Sequence, residues 1–326
     1  MPISPSPLAS FTKIATGIDR PEDVVVFDDG RVYASCHNCA VVQIHDDGSF
    51  TKLGTKTGAT NGINATKDGN IIIANFGIYD GVSGPLESFD PITQTREILA
   101  TDVAGRALTS SNYPIIDKFG NIFCANSTSA PVWMNALDGR DDGFIYVVRP
   151  DGSAHILAEN LCFPNGLALS EDEKYLYCCQ TSACNIMRFE IAYDGEIPTL
   201  TSRRQYGPKL GFRLPNAMVT NKLPNPALTK HLGFIMQHVG YPDGCGMDVE
   251  GNLWVTLPGA NKIVVITPDE KLVTIACDPS GKALHSPTNV TWGGADMRDL
   301  YIGSLNANFI LKTRSPIAGH KLAHQW

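Results

Sequence analysis

The feature that most constrains the fold of this chain is a recurring unit made of a short strand, a tight turn and a second strand. The unit appears in FDDGRVYAS, TKDGNIIIA, DKFGNIFCA, SEDEKYLYC and DVEGNLWVT, and in further variants between them. Asp-Gly and Gly-Asn steps supply the positive φ that tight hairpin turns need, and the flanking residues alternate as they do in β-sheets. Helical periodicity is nearly absent. The sequence therefore predicts an all-β fold.

The turns also share one register with the residues that precede each incoming strand. In five units a Pro, Thr or Ser lies nine positions before the turn residue, in the pairs Pro21 and Gly30, Thr60 and Gly69, Ser111 and Gly120, Pro164 and Glu173, and Pro242 and Gly251. A sixth unit surrounds Asn289 and has a slightly longer turn. Such units, with roughly four short strands each, are typical of β-propeller blades. We predict a single six-bladed β-propeller domain over residues 1–326.

A propeller ring must close, and the N-terminal segment at residues 10–17 has the strand character needed to complete the last blade. The alternative is an unpaired N-terminal arm. A first insertion, residues 127–142, carries Trp133 and Met134 in an apolar stretch. This insertion is interpreted either as an apolar lid at the channel mouth or as packing between blades.

A second long connection covers residues 203–240 and is rich in Pro, Asn and Lys. Connections of this length are usually functional or loosely ordered. We expect it to form a wall of a pocket or a subunit contact, with a short helix around residues 226–233. His238, near its end, is a candidate donor to a bound carbonyl or leaving group, although a histidine beside a strand is more often structural.

We call the Pro, Thr or Ser that lies nine positions before each turn residue a register mark. The position directly after each of these five register marks carries an acid or an amide. These residues are Glu22, Asn61, Asn112, Asn165 and Asp243, with Thr288 or Asn289 in the sixth unit. Because the innermost strand of each blade borders the channel, equivalent positions should converge on the propeller axis. Carboxylate and amide oxygens suit Ca²⁺, Mg²⁺ or Mn²⁺ and can hold Zn²⁺. We predict a metal site in the central channel, the alternative being a hydrated polar lining.

Composition excludes several other function classes. The net charge of −7 argues against binding to nucleic acid, and no cluster of Lys and Arg provides a local exception. No run of eighteen apolar residues predicts a membrane span, and the N-terminus lacks the pattern of a secretion signal. The nine cysteines lie mostly in apolar strand-like runs, which fits free thiols in a reducing compartment. We therefore expect a soluble cytoplasmic protein whose partner is a small molecule.

Several segments resemble one known family. PNGLALSEDEKYLYCCQT, YPDGCGMDVEGNLWVT and SPTNVTWGGADMRDLYIGS are similar to segments of the gluconolactonase, regucalcin (senescence marker protein) and luciferin-regenerating enzyme family. The resemblance runs from about residue 15 to residue 314. It implies a six-bladed propeller with one divalent ion in the channel, Ca²⁺ first and Zn²⁺, Mn²⁺ or Mg²⁺ as alternatives. The activity it implies is lactone hydrolysis.

The resemblance also implies roles for individual residues. Glu22 in RPED, Asn165 in FPNG and Asp243 in YPDG match the family's metal ligands, and Asp243 matches its catalytic base. Asn112 in SSNYP matches the asparagine that reaches the metal directly or through water, so it is both a ligand and a catalytic candidate. Asn61 is assigned to the substrate or to a water on the metal.

Two departures from the family bear on the substrate. Sugar-lactone members carry an arginine at the position of Ser110, and an Asp-Gly pair at the position of Tyr113 and Pro114. These changes favour a substrate more apolar than an aldonolactone, with Ser110, Tyr113, Trp133 and Met134 as candidate contacts. The sequence thus predicts a metal-dependent lactonase. The alternatives are a phosphotriesterase or arylesterase of related architecture and a non-catalytic calcium-binding propeller.

Overall fold

A computed structural model describes residues 3–214 and 235–326 of the chain. Within these residues the fold is built from short β-strands. In chain order they are β1 (Thr12–Ile14), β2 (Val24–Val26), β3 (Val32–Ser35), β4 (Val41–Ile44), β5 (Phe50–Leu53), β6 (Thr60–Ala65), β7 (Ile71–Asn75), β8 (Leu86–Phe89), β9 (Arg96–Ala100), β10 (Asp102–Val103), β11 (Arg106–Ala107), β12 (Ser111–Ile116), β13 (Ile122–Asn126), β14 (Gly143–Val148), β15 (Ala154–Leu161), β16 (Pro164–Leu169), β17 (Tyr175–Gln180), β18 (Asn185–Asp194), β19 (Ile197–Tyr206), β20 (Cys245–Met247), β21 (Leu253–Leu257), β22 (Lys262–Ile266), β23 (Leu272–Cys277), β24 (Pro287–Gly293), β25 (Asp299–Ser304) and β26 (Ile310–Arg314).

The strands form six four-stranded antiparallel sheets, which are the blades of a β-propeller. Blades 1 to 5 are β2–β5, β6–β9, β12–β15, β16–β19 and β20–β23, and blade 6 is β24–β26 with β1. A small hairpin, β10 with β11, joins blades 2 and 3. The predicted all-β six-bladed propeller is confirmed.

Apart from Ile235 and Met236, which are α-helical, helical structure in the described part of the chain consists of single 3₁₀ turns. These are Leu8–Ser10, Gly77–Tyr79, Trp133–Asn135, Pro258–Ala260 and Ala323–Gln325. No helix of residues 3–214 or 235–326 combines the length and the apolar character that a membrane crossing requires.

The first and last parts of the chain meet in blade 6. β1 lies within the segment at residues 10–17 and pairs antiparallel with β26, with Thr12 opposite Lys312 and Ile14 opposite Ile310. Because β24, β25 and β26 come from the other end of the chain, this pairing joins both ends of the ring.

The residues nine positions after the register marks are the turn residues of the hairpins. Gly30, Gly69, Gly120, Glu173 and Gly251 all have positive φ. The N–H of each donates to the carbonyl three residues earlier, over distances between 2.8 and 3.1 Å. Glu173 adopts the left-handed region at φ 53°, which is unfavourable for a residue with a Cβ. This conformation explains why the fourth unit keeps the register without a glycine.

Apolar clusters between neighbouring blades make up the core. Val25 and Tyr33 of blade 1 pack with Ile71 and Phe89 of blade 2. Trp254 of blade 5 and the Trp292 ring of blade 6 meet edge to face, with centroids 5.4 Å apart. All nine cysteines are free, and seven of them are buried in or beside these clusters.

The segment after β26 crosses the end of the channel where the innermost strands finish. The Gln325 side chain donates to Val26 O at 2.8 Å and to Trp292 O at 3.0 Å. The His320 N–H donates to Met247 O at 2.9 Å. Since Val26, Trp292 and Met247 lie at the ends of three innermost strands, the C-terminal segment ties blades 1, 5 and 6 together.

Candidate active site

The acid and amide positions of the predicted ring lie in one pocket. Glu22, Asn61, Asn112, Asn165 and Asp243 all line a pocket of about 320 Å³. The same five residues, with Thr288, also line a cavity of about 10 Å³ on the axis, which is room for one small ion or one water. The structure therefore brings together the predicted metal-ligand set Glu22, Asn112, Asn165 and Asp243, with Asn61 beside it.

β-Bulges aim these side chains at the axis. In β6, β12, β16 and β24 the pairing register shifts at the ring residue and its successor. A bulge at an inner strand turns two consecutive side chains towards the same side, so both border the channel. Glu22 and Asp243 lie just before β2 and β20 begin, where the chain has not yet entered the sheet.

The residues that follow the ring positions form the floor of the pocket. They are Asp23, Gly62, Tyr113, Gly166, Gly244 and Asn289, so side chains and glycines are mixed around the axis. Asn289 Nδ2 donates to Asp23 Oδ1 at 2.5 Å and to the Tyr113 hydroxyl at 2.7 Å. The three glycines make room for this triad, because a Cβ on any of them would lie within 2.5 Å of the neighbouring blade. Thr288 thus occupies the sixth ring position and Asn289 the floor.

Two hydroxyl groups orient the amides of Asn112 and Asn165. Asn165 Nδ2 donates to Thr181 Oγ1 at 3.1 Å, and Thr181 Oγ1 donates to Pro242 O in blade 5 at 2.7 Å. Ser127 has the same role in the preceding blade, since its Oγ accepts from Asn112 Nδ2 at 2.9 Å and donates to Pro164 O at 2.8 Å. With both amide nitrogens held by the blades, Asn165 Oδ1 remains as an acceptor for the channel, whereas Asn112 Oδ1 already accepts from Asn61 Nδ2 at 2.5 Å.

Arg20 is the cation of the site. Its Nη2 lies 2.5 Å from Glu22 Oε1 and donates to Asn61 Oδ1 at 3.0 Å. The guanidinium also sits 4.3 Å from the centroid of the Tyr79 ring. Arg20 is 9% exposed, which is rare for an arginine and is explained by these partners. Sequence reasoning missed Arg20, although a base two residues before Glu22 in DRPED was its signal.

Among the described residues, the buried carboxylates of the site outnumber this cation. Burial raises the pKa of Glu22, although Arg20 counteracts the rise. The pKa of Asp243 lies well above its usual range because of burial and because of the Glu22 charge, even though the residue keeps a partial exposure to the pocket. In the floor, burial raises the pKa of Asp23 to about 7. Three acids with one guanidinium leave the axis short of positive charge.

A divalent cation fits this donor set. In the described part of the chain no group of three or more His, Cys, Asp or Glu side chains could hold a metal, so the site depends on the two amides as well as on Glu22 and Asp243. Glu22 Oε1 is buried and, among the described residues, accepts no hydrogen bond besides its ion pair with Arg20. Hard oxygen donors with two carboxylates match the preference of Ca²⁺. Such an ion would offset the burial that raises the pKa of both carboxyls, and also the Glu22 charge that adds to the rise at Asp243.

The wall above the ring is apolar. Its side chains are Phe76, Trp133, Leu137, Phe163, Leu214, Met236, Val239, Tyr241 and Leu305. Trp133, from the insertion at residues 127–142, meets Phe76 and Phe163 edge to face with centroids 5.7 and 6.4 Å apart. The insertion therefore contributes to the pocket and packs against neighbouring blades at the same time. Leu214 and Met236 come from the connection at residues 203–240, whose predicted helix near residues 226–233 lies outside the described residues.

Four predicted site residues do not line this pocket among the described residues. Ser110 is fully buried, and its hydroxyl donates to Thr128 O and accepts from Thr128 N. Tyr113 belongs to the floor, where its hydroxyl is bonded to Asn289. Met134 is 39% exposed because the 3₁₀ turn directs its neighbour Trp133 inwards instead. His238 lies on the connection before blade 5 and is not among the lining residues.

Comparison with known proteins gives the family. The sequence model of the SMP-30/Gluconolactonase/LRE-like region matches residues 54–306, more than half of the chain. The chain belongs to this family. The predicted resemblance is confirmed. Residues 6–44 also match the N-terminal region of strictosidine synthase-like proteins.

Individual relatives are distant. A gluconolactonase of Zymomonas mobilis is 25% identical over 235 residues, which is 70% of this chain and 56% of that protein. The chain thus spans little more than half the length of this relative. A solved gluconolactonase of Xanthomonas campestris superposes with a TM-score of 0.70 at 21% identity, over 96% of this chain and 94% of the other. Regucalcin of Agrobacterium tumefaciens, described as a calcium-binding protein, superposes with a TM-score of 0.66 at 15% identity, over 98% of this chain and 96% of the other. At these identities the two structures support the fold alone.

Proposed function

We propose that this protein is a divalent-metal-dependent lactone hydrolase whose substrate is more apolar than an aldonolactone. The observation that carries the proposal is the axial cluster of Glu22, Asp243 and oriented amides at the base of an apolar pocket. The gluconolactonase of Zymomonas mobilis and the family as a whole support lactone hydrolysis. The calcium-binding description of the regucalcin neighbour supports Ca²⁺ as the ion.

Glu22, Asn165 and Asp243 would hold the ion, with Asn112 on it or beside it. Bound there, a divalent ion supplies Lewis-acid polarisation of a carbonyl and lowers the pKa of a water. Thr181 and Ser127 keep the amide oxygens directed at the channel. Their hydroxyls accept from the amide nitrogens, and Asn112 Oδ1 also accepts from Asn61 Nδ2, so rotation would break one hydrogen bond at Asn165 and two at Asn112.

Asp243 is the proposed acid–base group. Its carboxylate reaches the pocket. A bound divalent ion would favour the ionised form of Asp243, which could take a proton from water and return it to the leaving ring oxygen. The attacking group is water, so no side-chain nucleophile is needed. The closed floor below Asp243 restricts water to the pocket side of the ring.

The wall favours an apolar or aromatic lactone. The wall presents the ring edges and faces of Trp133, Phe76 and Phe163. The hydroxyl of Ser110 is hydrogen bonded to the backbone of Thr128 and does not line the pocket. A sugar lactone would bury hydroxyl groups against these rings without partners, which costs about 1–3 kcal/mol for each. An aromatic ring loses nothing in the same place and gains edge-to-face contacts.

The test is pH-stat hydrolysis of an aldonolactone, an aliphatic δ-lactone and dihydrocoumarin by chelator-stripped protein, before and after addition of Ca²⁺, Mn²⁺ or Zn²⁺. We expect metal-restored turnover that is fastest on dihydrocoumarin. Trp133→Ala should raise KM for dihydrocoumarin by about tenfold, the effect of losing one well-packed aromatic contact. Met134→Ala, its exposed neighbour, is the matched control and should leave KM unchanged.

Metal binding without turnover on any lactone would refute the lactonase. Faster cleavage of a phosphotriester than of every lactone would move the function to the phosphotriesterase alternative. Equal effects of Trp133→Ala and Met134→Ala would remove the assignment of the apolar wall to the substrate.

A further inference from the structure

Arg20 occupies a position beside the Glu22 carboxylate, for which a metal ion at the axial site would compete. Its Nη2 lies 2.5 Å from Glu22 Oε1, a distance within the range of calcium–oxygen bonds. Asn61 Oδ1 is the other acceptor of the same nitrogen. A cation bound to Glu22 from the channel would therefore meet a like charge that already neutralises this carboxylate. An ion bound through either carboxylate oxygen of Glu22 would lie close to the guanidinium at Oε1, so the two cations would repel each other.

The guanidinium is incompletely satisfied in this position. Nε and Nη1 are buried and have no hydrogen-bond partner among the described residues. Buried charged donors without partners are costly, so the observed arrangement is held by the ion pair to Glu22 rather than by a full set of hydrogen bonds. Arg20 also has φ 49°, in the left-handed region that side-chain-bearing residues seldom adopt. Its backbone is thus strained in the conformation that directs it to Glu22.

A second location for the side chain adjoins the first. Arg20 lines both the substrate pocket and a neighbouring recess of about 780 Å³ that also contains Asp19, His37 and Tyr79. Asp19 is half exposed there, and its nearest basic neighbour is His37 Nδ1 at 3.9 Å. The Tyr79 ring, already in contact with the guanidinium, borders the same recess. A displaced Arg20 would keep the ring contact and gain Asp19 as an anionic partner.

We propose that Arg20 is an internal competitor of the metal ion, which neutralises Glu22 in the metal-free protein and lowers the affinity of the axial site for divalent cations. This inference rests on the proposed function insofar as the ion belongs to that function. It explains how Glu22, 5% exposed, is tolerated before an ion binds. It also assigns to this chain a weaker metal site than its oxygen donors alone would give.

The test measures Ca²⁺ binding by titration calorimetry on chelator-stripped protein. Arg20→Gln removes the charge and keeps an amide that can still bond Asn61, so Ca²⁺ should bind about tenfold more tightly or better. Arg20→Lys keeps the charge and should remain within about threefold of the natural protein. Arg31→Gln is the matched control, because Arg31 is on the blade 1 hairpin and pairs with the exposed Asp29 at 2.7 Å. It should leave Ca²⁺ affinity unchanged.

The outcomes separate this inference from the proposed function. Equal or weaker binding by Arg20→Gln overturns the competitor role and leaves a metal-dependent lactonase intact. Binding by Arg20→Gln but not by the natural chain supports the competitor role and overturns metal dependence. If neither protein binds Ca²⁺, Mn²⁺ or Zn²⁺, both the competitor role of Arg20 and the metal dependence of the lactonase are refuted. Circular dichroism on each variant checks the fold, and Arg20→Lys provides the second comparison if Arg20→Gln is unstable.

Discussion

Replacing Asp243 by Asn separates the chemical role of this residue from its structural role. The backbone contacts of Asp243 do not depend on the side chain, since its N–H donates to Thr256 O at 3.0 Å and its carbonyl accepts from Gly166 N at 2.9 Å. Asparagine has nearly the same volume and removes only the charge and one proton acceptor. The neighbouring Glu22 charge is among the causes that raise the pKa of Asp243, so the substitution also removes a repulsion. We therefore expect Asp243→Asn to fold and to be at least as stable as the natural protein without metal.

The expected loss is catalytic. A positioned acid–base group contributes about 10²- to 10⁴-fold, so kcat on dihydrocoumarin should fall by that factor, equivalent to about 3 to 5 kcal/mol of activation free energy. The metal response should fall as well. Ca²⁺ at about 100 times its Kd adds about 2.7 kcal/mol to the unfolding free energy of the natural protein. With an unfolding entropy of about 2.1 cal/mol/K per residue over 326 residues, that energy raises Tm by about 4 °C.

The assay combines pH-stat kinetics with thermal unfolding, each with and without Ca²⁺. Asp269→Asn is the control, because Asp269 is an exposed carboxylate in the same blade and pairs with Lys271 at 2.6 Å. It should keep both the turnover and the Tm response. Asp243→Asn with kcat within threefold of the natural protein, or with an unchanged Ca²⁺ response, would refute the assignment of Asp243 as base and ligand. An equal loss of turnover in Asp269→Asn would show that removing any negative charge from this blade lowers the activity, and that the effect is not specific to Asp243.

Three other substitutions test the supporting structure. Thr181→Val removes the hydroxyl that links Asn165 to Pro242 O, so urea unfolding should show a loss of about 1–2 kcal/mol and calorimetry a weaker Ca²⁺ site. Gly166→Ala places a Cβ 2.5 Å from Asp243 O and should cost about 1–3 kcal/mol in the same unfolding assay, whereas Gly259→Ala, whose Cβ would meet a Val239 methyl at 3.2 Å, should cost little. Burial lowers the pKa of His324 to about 4, so the unfolded chain takes up a proton first on acidification. Stability should then fall between pH 6.5 and pH 4 by up to about 3 kcal/mol, and His324→Gln should flatten that fall while the exposed His45→Gln should not.

The repeat in the sequence was sufficient to predict the blades and the ring. A turn residue nine positions after a Pro, Thr or Ser fixes where each inner strand begins, and Gly30, Gly69 and Gly251 have the positive φ that this spacing requires. Since every blade repeats the same geometry, equal register positions must be equidistant from the axis. That argument places Glu22, Asn165 and Asp243 in one pocket, as the structure does.

The floor could not be predicted in the same way. Strict alternation along β12 would direct Asn112 to the axis and Tyr113 away from it. The bulge between Ser111 and Pro114 breaks this alternation, so Tyr113 also borders the axis and meets Asn289. A bulge has no reliable sequence signal apart from the glycines at Gly62 and Gly166, whose meaning depends on contacts with the next blade. From the sequence, Tyr113 is a candidate substrate contact because it departs from the family's Asp-Gly pair, whereas the structure places its hydroxyl in the floor, where it accepts from Asn289.

Arg20 was missed for a different reason. A register argument compares like positions between blades, and Arg20 lies one residue before the first register mark, where the other units carry no base. Its importance comes from burial beside Glu22, which depends on the left-handed turn at Arg20 itself. The Arg20–Glu22 ion pair has no counterpart at the equivalent positions of the other units, so a comparison of repeated positions does not predict it.

The closed floor and the C-terminal segment together determine how a substrate can reach the site. Asp23, Tyr113 and Asn289 are hydrogen bonded across the axis from blades 1, 3 and 6, which separates the ring from the cavity on the far side. The C-terminal residues cover that far side through Gln325. A substrate of the proposed reaction would therefore reach the ring from the pocket side, which the apolar wall lines. Under the proposed function, a substrate would contact this wall before it meets Glu22 and Asp243, so we expect the wall rather than the chemistry of the ring to set which lactones are opened.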